Sequence, residues 1–284
     1  MVSDSQIKVD YPNIQVIYTG QEQTGPEKKR DIAIKQCKGE ICAFIDDDAF
    51  PAKGWLRNAK DHFENQEVAA VGGPGVTPEN DSLMQKAGGA VYSSILGSGR
   101  NYYRFTPGIL REVDDYPAYN LLIRKSILQE IGGFASTFYG GEDTKVCLSI
   151  INLGKKIIYD PTVVVYHHRR PLFINHLKQI KNIGIHRGYF VKAYPKTSRK
   201  FFYFLPSIGC IVLGFSILLS FFSKLAMTIF LTMLGIWLIA GFISVLRINK
   251  DIKIAFLAAF GIITTHLAYS IAFLRGLTLK DLQR

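Results

Sequence analysis

Apolar and polar positions change rhythm several times along the first 170 residues, and each change predicts an element. Ile-Gln-Val-Ile-Tyr at 14–18 reads as a buried strand. The stretch from Pro26 to Gly39 reads as a helix, with proline near its first turn and glycine closing it. Glu-Ile-Cys-Ala-Phe-Ile at 40–45 is the next strand. From Gly54 to Glu64, Trp55, Leu56, Ala59 and Phe63 form a helical stripe, and Val-Ala-Ala-Val-Gly-Gly at 68–73 is another strand. This βαβαβ order predicts an α/β domain with a mainly parallel sheet and crossover helices, where ligands bind beyond the carboxyl ends of strands.

After Tyr203 the rhythm disappears and three apolar stretches follow, 203–222, 225–246 and 254–274. Each is close to the roughly 20 residues that cross a 30 Å hydrocarbon layer. Ser223-Lys224 makes the first break a tight helical hairpin, and Arg-Ile-Asn-Lys-Asp-Ile-Lys at 247–253 makes the second a basic loop. With the preceding basic segment cytoplasmic, three spans place the tail outside, although it carries Arg275, Lys280 and Arg284. That arrangement conflicts with the positive-inside rule.

The distribution of charge supports a membrane partner over nucleic acid. The chain of 284 residues carries 34 Lys+Arg against 23 Asp+Glu, a net charge of +11. Nine of those basic residues, Arg169, Arg170, Lys178, Lys181, Arg187, Lys192, Lys196, Arg199 and Lys200, lie between His167 and Lys200 without an acid among them. Near anionic headgroups each is worth roughly 1 kcal/mol. Within the same stretch, residues 171–191 interleave Leu172, Phe173, Leu177, Ile180, Ile183 and Ile185 with Lys178, Lys181 and Arg187. That pattern predicts an amphipathic helix lying on the membrane plane. Cys37, Cys42, Cys147 and Cys210 have no paired metal-ligand spacing and are expected to be reduced, small hydrophobes. The expected organisation is a catalytic domain over 1–168, a basic juxtamembrane segment over 169–200 and a membrane region over 201–284.

Two constellations carry chemistry. Strand 40–45 ends in Asp46, Asp47 and Asp48. Adjacent carboxylates raise one another's pKa unless a cation sits among them, so the strand suits a post holding acids around a divalent ion; a solvated acidic turn is the plain alternative. Further on, a Gly-rich loop with Tyr139, Gly140 and Gly141 leads into Glu142-Asp143 at a helix start. Acids there serve as caps, and in a mobile loop they also suit a general base.

The segments GPEKKRDIAI, FIDDDA, NLLIRKSILQEIGGF, GGEDTKVCL and VVVYHHRR, in this order over residues 12–190, resemble membrane-bound family-2 glycosyltransferases of the GT-A fold. The resemblance implies inverting transfer from a nucleotide-diphosphate sugar to a lipid-linked or saccharide acceptor, assisted by Mg²⁺ or Mn²⁺, at the cytoplasmic face of the cell membrane. Asp46 and Asp48 match the family's Asp-x-Asp motif, and Asp47 points to the opposite side. Asp143 matches the general base, with Glu142 orienting it or the acceptor. His167 is a candidate third metal ligand or a strand-end histidine bonded to backbone. Arg30 is the expected donor contact, Asn120 lies where the family lines the sugar pocket, and Arg169 and Arg170 suit phosphate oxygens or headgroups. Gly72 and Gly73 suit either a close approach of backbone to the donor or a plain turn. The chain departs from the family at Asp31, where Asn is usual, and at Ser149, where Arg is frequent. Gln179 is not followed by the Arg-Trp of processive synthases, which favours transfer of a single sugar. Only one strand precedes the acidic one, so the domain is expected to be N-terminally incomplete.

Overall fold

The computed structural model describes residues 1–21, 23–134 and 141–282, so Tyr139 and Gly140 lie outside the described residues. Strand β1 (Val2–Ser3) pairs parallel with β2 (Ile17–Tyr18) in a small sheet of its own. The predicted strand 14–18 is thereby corrected: only its last two residues are extended in a ladder, and Ile14 and Tyr18 are exposed. Periodicity identified an apolar run there, but no larger sheet covers it. Helix α1 (Pro26–Gln36) follows, with Pro at its start as expected, and then β3 (Ile41–Ile45) and β4 (Ala49–Pro51).

Helix α2 (Trp55–Lys60) leads to β5 (Val68–Gly72), β6 (Gly75–Val76), α3 (Leu83–Ser93) and α4 (Ile95–Ser98). The domain continues through β7 (Arg111–Val113), β8 (Asn120–Arg124), α5 (Lys125–Glu130), α6 (Glu142–Asn152), β9 (Lys156–Tyr159) and β10 (Val165–His167). The main sheet has the order β3-β8-β5-β9-β7. Only β5 and β9 are parallel neighbours; β8 runs antiparallel to both β3 and β5, and β7 antiparallel to β9. The mainly parallel sheet is therefore corrected to a mixed one. Between β5 and β8 the chain leaves through α3 and α4 and re-enters from the far end, and strand polarity leaves no trace in a period of two.

Alternation along β8 divides its side chains between two cores. Leu121 and Ile123 join Phe44, Leu128, Phe134, Val146, Ile150 and Ile157 on the α5–α6 side, while Leu122 joins Trp55, Ala59, Val71 and Val163 on the α2 side. Burying each such Leu, Ile or Phe contributes roughly 1.5–3 kcal/mol. The four cysteines are free thiols, with Cys42 and Cys147 buried in this core.

Helix α7 (Ile174–Ala193), α8 (Pro195–Ser198) and three apolar helices, α9 (Leu205–Ser220), α10 (Lys224–Leu246) and α11 (Ile252–Thr278), complete the chain. Both α10 and α11 are long and apolar enough to cross a membrane, and α9 is shorter. The expectation that α7 turns its apolar face to lipid is corrected: His176, Ile180, Gly184, Gly188 and Val191 are buried, and α11 lies against them. Small residues make this possible. A Cβ on Gly184 would come within 2.9 Å of the Ala272 Cβ, and one on Gly188 would collide with the carbonyl of Phe273. Removing side chains lets two helix backbones approach, as in helix pairs inside membranes.

The basic segment is likewise partly folded inward. Arg187 reaches Asp115 at 2.9 Å, Lys200 is ion-paired with Asp114, Lys196 donates to Asn152, and Arg169 is buried. Arg170, Lys178, Lys181 and Arg199 remain exposed. Gly188→Leu is expected to force α7 off α11 and lower the thermal midpoint in detergent, at a cost of about 2 kcal/mol or more. Gly209→Leu on α9, where a Cβ meets nothing within 4 Å, is the control and should leave the midpoint unchanged. Equal midpoints for both variants would refute this contact as a determinant of stability.

Candidate active site

The acidic turn is fixed by a second, smaller sheet of order β4-β10-β6. After β3 the chain turns over Asp46–Asp48, closed by the Ala49 amide donating to the Asp46 carbonyl at 3.1 Å. Strand β4 then pairs antiparallel with β10, which sets His167 opposite Ala49, and the His168 amide donates to the Asp48 carbonyl at 3.0 Å. In consequence His167 Nε2 lies 2.9 Å from Asp48 Oδ1. One ligand atom from each of Asp46, Asp48 and His167 falls within a 4.8 Å group. Asp47 is exposed, outside that group, as its position on the turn implied.

Arg30 on α1 joins this cluster to the second constellation. Its guanidinium is 3.3 Å from Asp46 Oδ1 and 2.8 Å from Glu142 Oε1, and it sits over the Phe134 ring at 5.2 Å from the centroid. Arg30 thus pairs with a carboxylate 112 positions away in sequence while it also holds Asp46. Glu142 and Asp143 open α6 after Gly141, whose φ of 85° suits glycine. A side chain at Gly141 would also strike the ring of Phe190 on α7. Asp143 Oδ2 accepts the Ala118 amide at 3.1 Å, which aims the carboxylate.

The local electrostatics follow from burial and neighbours. Burial raises the pKa of Asp46, the charges of Asp48 and Asp143 add to this, and Arg30 and His167 offset only part of it. At Asp48 burial also opposes ionisation, but the hydrogen bond and charge of His167, with the charge of Arg170, hold the carboxyl below its ordinary value. Burial and Asp143 raise Glu142 despite Arg30. A site with two half-desolvated carboxylates and a third whose pKa is raised favours an additional cation.

Arg169 stands behind this cluster. It is buried, donates to the Gly75 carbonyl, lies 5.0 Å from the Phe105 centroid and is flanked by Tyr92 and Tyr119. It also contacts His167 Nδ1 at 3.2 Å. A guanidinium only donates, so Nδ1 accepts and Nε2 carries the proton toward Asp48. The carboxylates of Asp46 and Asp48 therefore fit a hard cation as they stand, whereas His167 would ligate through Nε2 only if Arg169 released Nδ1.

Asn120 is brought close behind the turn, opposite Ile45 in register, but its amide is fully engaged. Its oxygen accepts from Trp55 Nε1 at 2.8 Å, and its nitrogen donates to the carbonyls of Gly73 at 2.6 Å and Val163 at 2.7 Å. Gly72 and Gly73 are small for internal reasons: a Cβ would strike the Tyr116 ring or the Val163 backbone.

Sequence reasoning missed the buried group beneath α6. Asp115 accepts from Thr144 Oγ1 at 3.0 Å and from Arg187 at 2.9 Å, with Arg104 at 3.6 Å. Burial opposes its ionisation, but the charges of Arg187 and Arg104 hold it down at about 2. The only signal was an acidic pair, Asp114-Asp115, a few residues before an apolar strand.

Arg30→Met is expected to leave Glu142 buried without its cation and to destabilise the protein by about 3–5 kcal/mol. Adding Glu142→Gln should restore most of that loss, because the remaining group is neutral. Chemical denaturation of both variants checks this, and an unchanged midpoint for Arg30→Met would contradict it.

Residues 2–132 match the family described as glycosyl transferase family 2. The chain is 30% identical over 148 residues to a pre-mycofactocin glycosyltransferase of Mycobacterium tuberculosis, covering 51% of this chain and 30% of that protein. It is 24% identical over 170 residues to glycosyltransferase AglE of Haloferax volcanii, covering 58% of this chain and 51% of that protein. The chain thus spans about half or less of the length of these relatives. The matched residues 2–132, which include Arg30 and the acidic turn, are similar to family-2 glycosyltransferases, and both relatives are glycosyltransferases.

Proposed function

We propose that the protein transfers a sugar from a nucleotide-diphosphate sugar to a hydroxyl of a lipid-linked or cell-envelope saccharide, with inversion, at the cytoplasmic face of a membrane. The observation that supports this best is Arg30, which brings the Asp46–Asp48–His167 group and the Glu142-Asp143 helix start to one place. Asp46 and Asp48 would hold Mg²⁺ or Mn²⁺, which when bound supplies neutralising charge to the diphosphate.

The chain's own groups account for the rest. Asp143, aimed by the Ala118 amide, takes the acceptor hydroxyl proton as that oxygen bonds to the anomeric carbon. The bond from that carbon to the diphosphate oxygen breaks, and its electron pair leaves with the nucleotide diphosphate. Glu142 holds Arg30 toward Asp46, Arg169 holds His167 against Asp48, and Asn120 fixes the Gly73 and Val163 carbonyls behind the pocket. A lipid-linked acceptor is favoured by a chain of contacts running from the site to an apolar helix. It passes from Asp48 through His167, Arg169 and Tyr92 to His176, which bonds Thr265 of α11 at 2.8 Å.

Asp48→Ala is expected to abolish Mn²⁺-dependent binding of a nucleoside diphosphate, read by calorimetry; retained affinity would remove Asp48 from the metal site. Asp143→Asn should leave that binding intact and lower turnover of a sugar nucleotide by about 10²-fold or more. If binding and turnover fall together in Asp143→Asn, the residue serves the pocket and not the acceptor proton.

A further inference from the structure

Helix α11 has the length and composition of a membrane span, about 40 Å at 1.5 Å per residue, yet both of its ends are attached to the catalytic side. At its start, Ile254, Ala255 and Ala258 share one apolar cluster with Ala87, Ala90 and Val91 of α3 and with Leu172. A Cβ on Gly261 would already meet Val91 and Leu172. Midway, Thr265 bonds His176 of α7. At its end, Gly276 lies against Gly188, Phe273 packs edge-on to Phe204, and Lys192 of α7 donates to the Leu279 carbonyl at 2.6 Å. Helices α7 and α11 run side by side in the same direction, with Gly184 by Ala272 and Gly188 by Gly276.

If α11 crossed the bilayer, α7 would have to cross with it. The outer face of α7 exposes Asn175, Lys178, Gln179, Lys181 and Asn182. A lysine at the bilayer centre costs roughly 2.5–3.5 kcal/mol even on the most lenient scale. Arg187 of the same helix is also tied to Asp115 beneath α6, which anchors α7 to the water-exposed domain.

The opposite face of α11 is of another kind. Ile252, Phe256, Phe260, Leu267, Ile271 and Leu274 are exposed along one side, with no charge from Ile254 to Leu274. This stripe borders the α9–α10 hairpin, which is apolar over its length.

We propose that α11 does not span the membrane: it lies along the near leaflet, with its apolar stripe among the acyl chains and both ends on the catalytic side. The charge of the tail supports this independently of packing. With α11 in the plane, Arg275 and Lys280 fall on the same side as the basic juxtamembrane segment, which removes the conflict with the positive-inside rule. The amphipathic surface helix expected at 171–191 is then supplied by α11, with α7 as the strut between it and the active site.

The test is side-specific labelling of the full chain in membranes. Lys53→Cys (catalytic domain), Asn249→Cys (before α11) and Lys280→Cys (after it) are made singly in a Cys37→Ser, Cys210→Ser background. Each is exposed to an impermeant maleimide in intact cells and in inverted vesicles. All three should react in the same preparation; reaction of Lys280→Cys in the opposite one from Lys53→Cys would overturn the proposal. Depth is read separately with Ile271→Trp in a Trp55→Phe, Trp237→Phe background. Lipids brominated near the headgroup should quench its fluorescence at least twofold more than lipids brominated near the chain end, and the reverse order or no quenching would overturn the proposal. Neither readout depends on glycosyl transfer, so this proposal and the enzymatic reading fail separately.

Discussion

Arg30 occupies the position on which the arrangement of the site depends. One guanidinium lies between Asp46, at the end of an edge strand, and Glu142, at the start of a helix far along the chain. Without a cation there, the acidic turn and the Glu142-Asp143 pair would repel across a half-desolvated gap. Burial first, and neighbouring carboxylates second, raise the pKa of Asp46 and Glu142, and Arg30 offsets only part of this.

Around this centre the chain uses buried polar groups as positioning devices. The β4–β10 pairing delivers His167 to Asp48, and Arg169 fixes the ring from behind. Asn120 ties the ends of β5 and the 163 loop together, and Asp115 ties α6 to α7. Each group is buried and hydrogen-bonded to its neighbours, so removing one partner leaves a desolvated donor or acceptor. Side chains assigned from family resemblance to substrate, notably Asn120 and Arg169, are in this structure engaged with the protein itself. What they hold is the backbone at Gly73 and Val163 and the ring of His167.

The same Arg187–Asp115 contact connects the site to the apolar helices. Helix α7 rests on α11 through Gly184 and Gly188, touches Gly141 through Phe190, and reaches Asp115 under the helix that carries Asp143. The apolar helices and the candidate site are thus joined by one continuous set of packed contacts.

The sequence alone determined the elements whose evidence is local. Pro26 and the apolar period placed α1, the alternation of Cys42 and Phe44 placed β3, and uniform apolar runs placed α10 and α11. It also singled out Asp46, Asp48, Glu142 and Asp143 as candidates, by their crowding at element ends together with the family resemblance, with a solvated turn and helix capping as the plain alternatives. Tertiary structure decided what depends on contacts between distant residues. Strand polarity made the sheet mixed, and the lack of a covering layer left residues 14–16 outside any strand. Internal partners claimed Asn120 and Arg169, which the family resemblance had offered to a ligand, and Arg187, which the charge pattern had offered to headgroups. The apolar length of α11 was legible in its residues, but which side its ends lie on was not. Hydropathy measures how a helix transfers to lipid, while its placement is set by what its small residues allow to pack against it.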